Sequence, residues 1–154
     1  MNQFMREAIA EARSGMLSGQ GGPFGALIVS RGTIIARAHN EVLTTNDPTA
    51  HAEVLAIRRA SALLGSFDLS DCEIYSSCEP CPMCFAAVHW AKIRSLYFAC
   101  TRKDAAEIGF DDDYIYRVIR GEAELLQVEI KEIERGEGLL LFNEFASLED
   151  KKLY

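Results

Sequence analysis

Two short stretches constrain this chain more than anything else in it. One is Asp47–Val54, "DPTAHAEV"; the other is Ser76–Cys84, "SSCEPCPMC". Each carries metal-binding side chains just where a helical pattern begins, so the fold has to bring two helix starts to one point. Cys81 and Cys84 stand at i, i+3 spacing and share a helix face. At a helix N-terminus the dipole biases both thiols toward thiolate, the form that binds zinc. His51 opens a helix as well. Three nitrogen and sulfur ligands suit one Zn²⁺ per chain and leave the fourth tetrahedral position to water.

Glu53 accounts for the rest of the first stretch. Residues two apart on a regular helix do not face each other, but first-turn side chains can converge around the helix end. His51 can then hold the metal while Glu53 stands beside the water and takes its proton. Each piece alone is weak: a lone C-x-x-C is compatible with redox chemistry, and a lone His is usually structural. The rival is a closed structural zinc with Cys78 as fourth ligand. It gives Glu53 no role, and the two helix starts together favour a catalytic centre.

The flanking pattern is that of an α/β domain. Residues 2–18 carry Phe4, Met5, Ala8, Ile9, Ala12 and Met16 at helical spacing. Glycines and Pro23 break that helix, and "FGALIVS" and "TIIARAH" read as a hairpin turning at Arg31-Gly32. "AHAEVLAIRRASALLG" is a helix stopped by Gly65. "CEIYSS" and "RSLYFAC" are strands, with a helix between them from Cys81 to about residue 92; Pro82 is tolerated in its first turn. "DYIYRVIR" is a short helix and "ELLQVEIKE" alternates like a fifth strand. After Gly136 and Gly138, read as flanking a hinge, comes a last amphipathic helix. Strands alternating with helices imply a three-layer α/β/α sandwich, and the opening hairpin makes its five-stranded sheet mixed.

Composition narrows the partners. The chain has 154 residues, enough for one domain with a real core. Its net charge of −7 and lack of a dense Lys/Arg cluster disfavour nucleic acid. No apolar run approaches the ~20 residues of a membrane span, and the amphipathic N-terminus with Glu7 and Glu11 lacks a signal peptide's apolar core. The chain is expected in the cytoplasm. Its odd set of five cysteines, three of them in "CEPCPMC", fits metal chemistry better than a disulfide framework. Cys72 and Cys100 read as buried apolar residues, and His39 and His89 as structural.

His51-Ala52-Glu53 and Pro80-Cys81-Pro82-Met83-Cys84 match the H-x-E…P-C-x-x-C signature of zinc deaminases. With "GGPFGALIV", "NDPTAHAEVLAIRRA", "GFDDDYIY" and the terminal "KKLY", the chain resembles the cytidine-deaminase-like superfamily of zinc hydrolases. Within it, the likeness is to bacterial guanine deaminases, over nearly the whole chain. The resemblance implies a single deaminase domain and hydrolysis of guanine to xanthine and ammonia, with attack at C2. It makes Glu53 the proton carrier and places the Cys81 backbone N–H at the oxyanion. Phe24 would stack on the base, Asn40 would bond the purine edge, and Asp112 would face the exocyclic amine or a ring N–H and relay a proton. It also implies a homodimer exchanging the C-terminal segment, about 137–154, so that Tyr154 caps the partner's site. Without the resemblance, Phe24 reads as core, Asn40 as a turn cap and "DDD" as a solvated loop. Other deaminases of the fold, acting on guanosine, cytosine or tRNA adenosine, are the alternatives. So is a non-catalytic zinc-stabilised module.

Overall fold

The computed structural model describes residues 2–122 and 127–153. Helix α1 (Gln3–Leu17) starts under Asn2, whose side chain accepts from the Met5 N–H at 3.1 Å. Strands β1 (Gly25–Ser30) and β2 (Thr33–His39) form the expected hairpin. Its two turn residues, Arg31 at φ 49° and Gly32 at φ 75°, give the left-handed turn that matches strand twist. A short helix α2 (Val42–Thr45) precedes α3 (Ala52–Leu64), which Gly65 ends at φ 61°. Then come β3 (Cys72–Cys78), α4 (Pro82–Trp90), β4 (Ser95–Cys100), α5 (Arg102–Glu107), α6 (Asp113–Arg120) and α7 (Arg135–Ser147).

The sheet order is β2-β1-β3-β4. β1 runs antiparallel to both β2 and β3, while β3 and β4 are parallel, so the sheet is mixed. Alternation along β1 serves two cores. Leu27 and Val29 pack with Ala8 and Tyr75 under α1, and Ala26 and Ile28 pack with Ala52, Ala56 and Val88 under α3 and α4. Helix α1 lies so close to the sheet that a Cβ on Gly25 would come within 2.4 Å of the Ala12 nitrogen and the Ala8 oxygen. Helices thus cover both faces, and three layers result. Among the described residues no helix is long and apolar enough to cross a membrane.

Four expectations need correction. Among the described residues the sheet has four strands and not five: residues 127–134 form no strand, and the rest of the expected fifth strand falls within 123–126, outside the described residues. Gly136 and Gly138 lie inside α7, so they are no hinge before it. Helix α7 is not amphipathic in use; Leu140, Leu141 and Phe142 follow one another and all are exposed. Cys100 is exposed on β4, an edge strand whose outer half is open, whereas Cys72 is buried as expected.

Candidate active site

Two helix starts do meet. His51 is the N-cap of α3 and Cys81 the N-cap of α4, both with extended backbone. The approach to His51 is fixed by the Asp47 carboxylate, which accepts from the Thr49 N–H and Oγ1–H at 2.8 and 2.7 Å. Pro82 fits the first turn of α4 because it forfeits only an N–H that would have had no helical partner.

His51 Nδ1 stands 3.5 Å from Cys81 Sγ and 3.5 Å from Cys84 Sγ. In a tetrahedral zinc site, with Zn–N near 2.0–2.1 Å and Zn–S near 2.3 Å, a nitrogen and a sulfur stand about 3.5–3.6 Å apart. The donor set therefore fits zinc in chemistry and in spacing. All three donor atoms lie within 4.8 Å of one another, and this trio is the metal-capable cluster found among the described residues. Cys78 stands apart from it. Its thiol donates to the Thr101 carbonyl at 3.6 Å, and burial pushes its pKa up to about 12.

The electrostatics of the trio are set by the three donors acting on one another. Cys81 accepts a hydrogen bond from Cys84 and faces His51, which lowers its pKa to about 4 despite burial. Cys84, the donor of that bond, is raised. His51 is raised in turn, first by its bond to Cys81. Glu53, on the first turn of α3, is 5% exposed and desolvation raises its pKa. Ser76 Oγ on β3 donates to Glu53 Oε1 at 2.9 Å.

Beside these groups lies a cavity of about 630 Å³, well within the ~300–1,000 Å³ of small-molecule sites. His51, Glu53 and Cys81 line it together with Phe24, Asn40 and Asp112, so most of the expected residues share one space. Phe24 packs edge-on against Phe110 at 4.9 Å between ring centroids. Asn40 is 5% exposed, and its Oδ1 accepts from the Val42 N–H at 3.2 Å. Asp112 stands at the N-cap position of α6, where desolvation, and then the Cys81 charge, raise its pKa. Tyr154 lies outside the described residues. Ser76, Phe110 and Arg102 were not foreseen. Phe110 sits two places before Asp112 in "GFDDDY" and could have been included with it; nothing in a single sequence marks Ser76.

Residues 1–100 match the family model for the cytidine and deoxycytidylate deaminase zinc-binding region. The chain is 46% identical over 151 residues to a guanine deaminase of Bacillus subtilis (strain 168), covering 98% of this chain and 97% of that one. The X-ray structure of guanine deaminase from Bacillus subtilis superposes with a TM-score of 0.94 at 46% identity, over 100% of this chain and 99% of the other. A tRNA-specific adenosine deaminase of Aquifex aeolicus (strain VF5) is 42% identical over 100 residues, 65% of this chain and 66% of that one.

Proposed function

The chain belongs to the cytidine and deoxycytidylate deaminase zinc-binding family, and from that membership we propose that it catalyses the zinc-dependent hydrolysis of guanine to xanthine and ammonia. One observation carries the reading: His51 and Cys81 of the zinc-fitting trio, with buried Glu53, line the same cavity as Phe24, Asn40 and Asp112. The likeness to a guanine deaminase along 98% of the chain selects guanine among bases.

His51, Cys81 and Cys84 would hold the ion. When bound, zinc supplies Lewis acidity that brings the pKa of a coordinated water toward 7. Glu53 takes a proton from the attacking water, delivers it to a guanine ring nitrogen and then assists departure of the 2-amino group as ammonia. Ser76 donates to Oε1 of Glu53 and so helps hold the carboxyl group that lines the cavity. The Cys81 N–H, at the α4 N-terminus, is aligned to stabilise negative charge on oxygen at C2. Phe24, braced by Phe110, lies against the base. The Asn40 carboxamide, held at Oδ1 by Val42, presents its other end to the purine edge. The Asp112 carboxylate accepts from N1–H and the 2-amino group, a donor pair that adenine and cytosine do not offer.

The working unit is a cytoplasmic homodimer with exchanged C-terminal segments, about 137–154, in which Tyr154 closes the partner's cavity. Free cysteines at a metal-fitting site suit a reducing compartment. Helix α7 supports the exchange: it packs extensively on no other element among the described residues, and it exposes Leu140, Leu141 and Phe142. A helix that apolar needs a docking surface. Ammonia release from guanine, guanosine, adenine, adenosine and cytosine tests the substrate. Guanine is expected to lead; turnover of adenosine or cytosine without guanine overturns the reading.

A further inference from the structure

We propose that His39 is a positioning residue for base binding, acting with Glu11 and Gln20 as a clamp behind Asn40. The inference rests on the guanine reading above. His39 closes strand β2 and sits immediately before Asn40. It touches none of the zinc-fitting donors, and it is not among the residues lining the cavity. Both of its ring nitrogens are engaged. Nδ1–H donates to Glu11 Oε1 at 2.8 Å, and Nε2 bonds Gln20 Oε1 at 2.6 Å. The His39 and Glu11 side chains are only 16% and 21% exposed, so the contact lies largely out of water.

The clamp ties three pieces of chain that carry or flank the base wall. Glu11 belongs to α1, His39 to the end of β2, and Gln20 to the loop between α1 and Phe24. The Gln20 carbonyl accepts from Leu43 N–H at 3.1 Å and Thr44 N–H at 3.4 Å, so the same residue fixes the start of α2. Leu43 and Val42 line the cavity. The Asn40 N–H donates to the Phe24 carbonyl at 2.9 Å, which couples the two base-binding residues through the backbone.

Two glycines show how closely the parts are fitted. A Cβ on Gly15 would come within 2.4 Å of the His39 ring, and one on Gly21 within 2.1 Å of Asn40 Oδ1. The Gly21 backbone therefore lies against Asn40 with no room for a side chain. With Val42 N–H on Oδ1, this fixes which end of the carboxamide faces the cavity. Removing the imidazole frees the loop, and the wall must then be ordered by the substrate itself. That ordering cost falls on binding and leaves the zinc ligands and Glu53 untouched.

The test is steady-state guanine deamination by His39→Ala, Gln20→Ala and the double variant, with zinc content measured on each. Both single variants are expected to raise KM about tenfold, with kcat within about threefold of the parent and zinc unchanged. If the two residues act as one unit, the double variant matches the singles instead of multiplying their effects. Gln20→Ala keeps the imidazole–Glu11 pair, so it reports even where His39→Ala does not fold. Two results overturn the clamp: unchanged KM in Gln20→Ala, or equal loss of kcat and zinc. A parent chain inactive on guanine would sink the guanine reading and the clamp together; an active parent with unchanged variant KM sinks the clamp alone.

Discussion

Ser76 Oγ donates to Glu53 Oε1 at 2.9 Å, from a strand to the first turn of a helix that the chain reaches by different routes. The bond satisfies a carboxylate that is almost entirely cut off from water. A buried charge without donors costs far more than an exposed one, so the Ser76 bond is what lets Glu53 sit there as a carboxylate. Ser76→Ala is therefore expected to retain zinc and to slow guanine turnover about tenfold, within the ~1–3 kcal/mol of a buried acceptor losing its donor. Unchanged kcat would reduce Ser76 to a packing residue.

The ligand set makes a sharp prediction about cysteines. Cys81→Ala and Cys84→Ala should lose zinc, because each removes one of three donors. Cys78→Ala should keep it, since that thiol bonds the Thr101 carbonyl. Metal analysis of purified variants is the check. Zinc loss in Cys78→Ala would mean a closed, four-ligand structural site.

Asp112→Ala should damage guanine turnover far more than folding. Asp112 stands at the N-cap position of α6, but its side chain makes no capping hydrogen bond and it lines the cavity, so its loss should cost base binding and little folding energy. A decrease in kcat/KM of about 10- to 100-fold is expected, with the thermal midpoint nearly unchanged. A lowered midpoint with normal kinetics would make Asp112 structural.

How much of this was legible in the sequence follows from where the determinants sit. The hairpin, the Gly65 stop and the Cys81–Pro82 helix start are local, written in residues with distinctive backbone preferences. The zinc trio was legible because each ligand opens a helix, and helix starts are locally encoded. The extra strand was misread because period-two alternation gives a strand's appearance without its partner, and pairing is a long-range property. Helix α5 was missed although Thr101 and Asp104 form a reciprocal capping box, a signal present in "TRKD". The Ser76–Glu53 and His39–Gln20 bonds join distant segments, and nothing local announces them.

Exchange of the C-terminal segment predicts complementation. A chain truncated after Asp150 keeps its zinc trio but lacks the end of the closing segment, Tyr154 included, and should be inactive with its metal bound. Mixed with inactive Glu53→Ala under subunit exchange, it should regain part of the activity, because the Glu53→Ala tail can close the truncated chain's cavity. Mixed dimers that form and stay inactive would mean that each tail serves its own chain.

The central claim is that a zinc trio and Glu53 together turn water on guanine. Its most direct test is ammonia release from guanine by the zinc-loaded parent chain and by zinc-loaded Glu53→Gln. The parent should yield ammonia and xanthine in equal amounts, and the variant, with one zinc per chain, should fall by about 10²–10⁴-fold. Near-normal ammonia release by zinc-loaded Glu53→Gln would contradict the account.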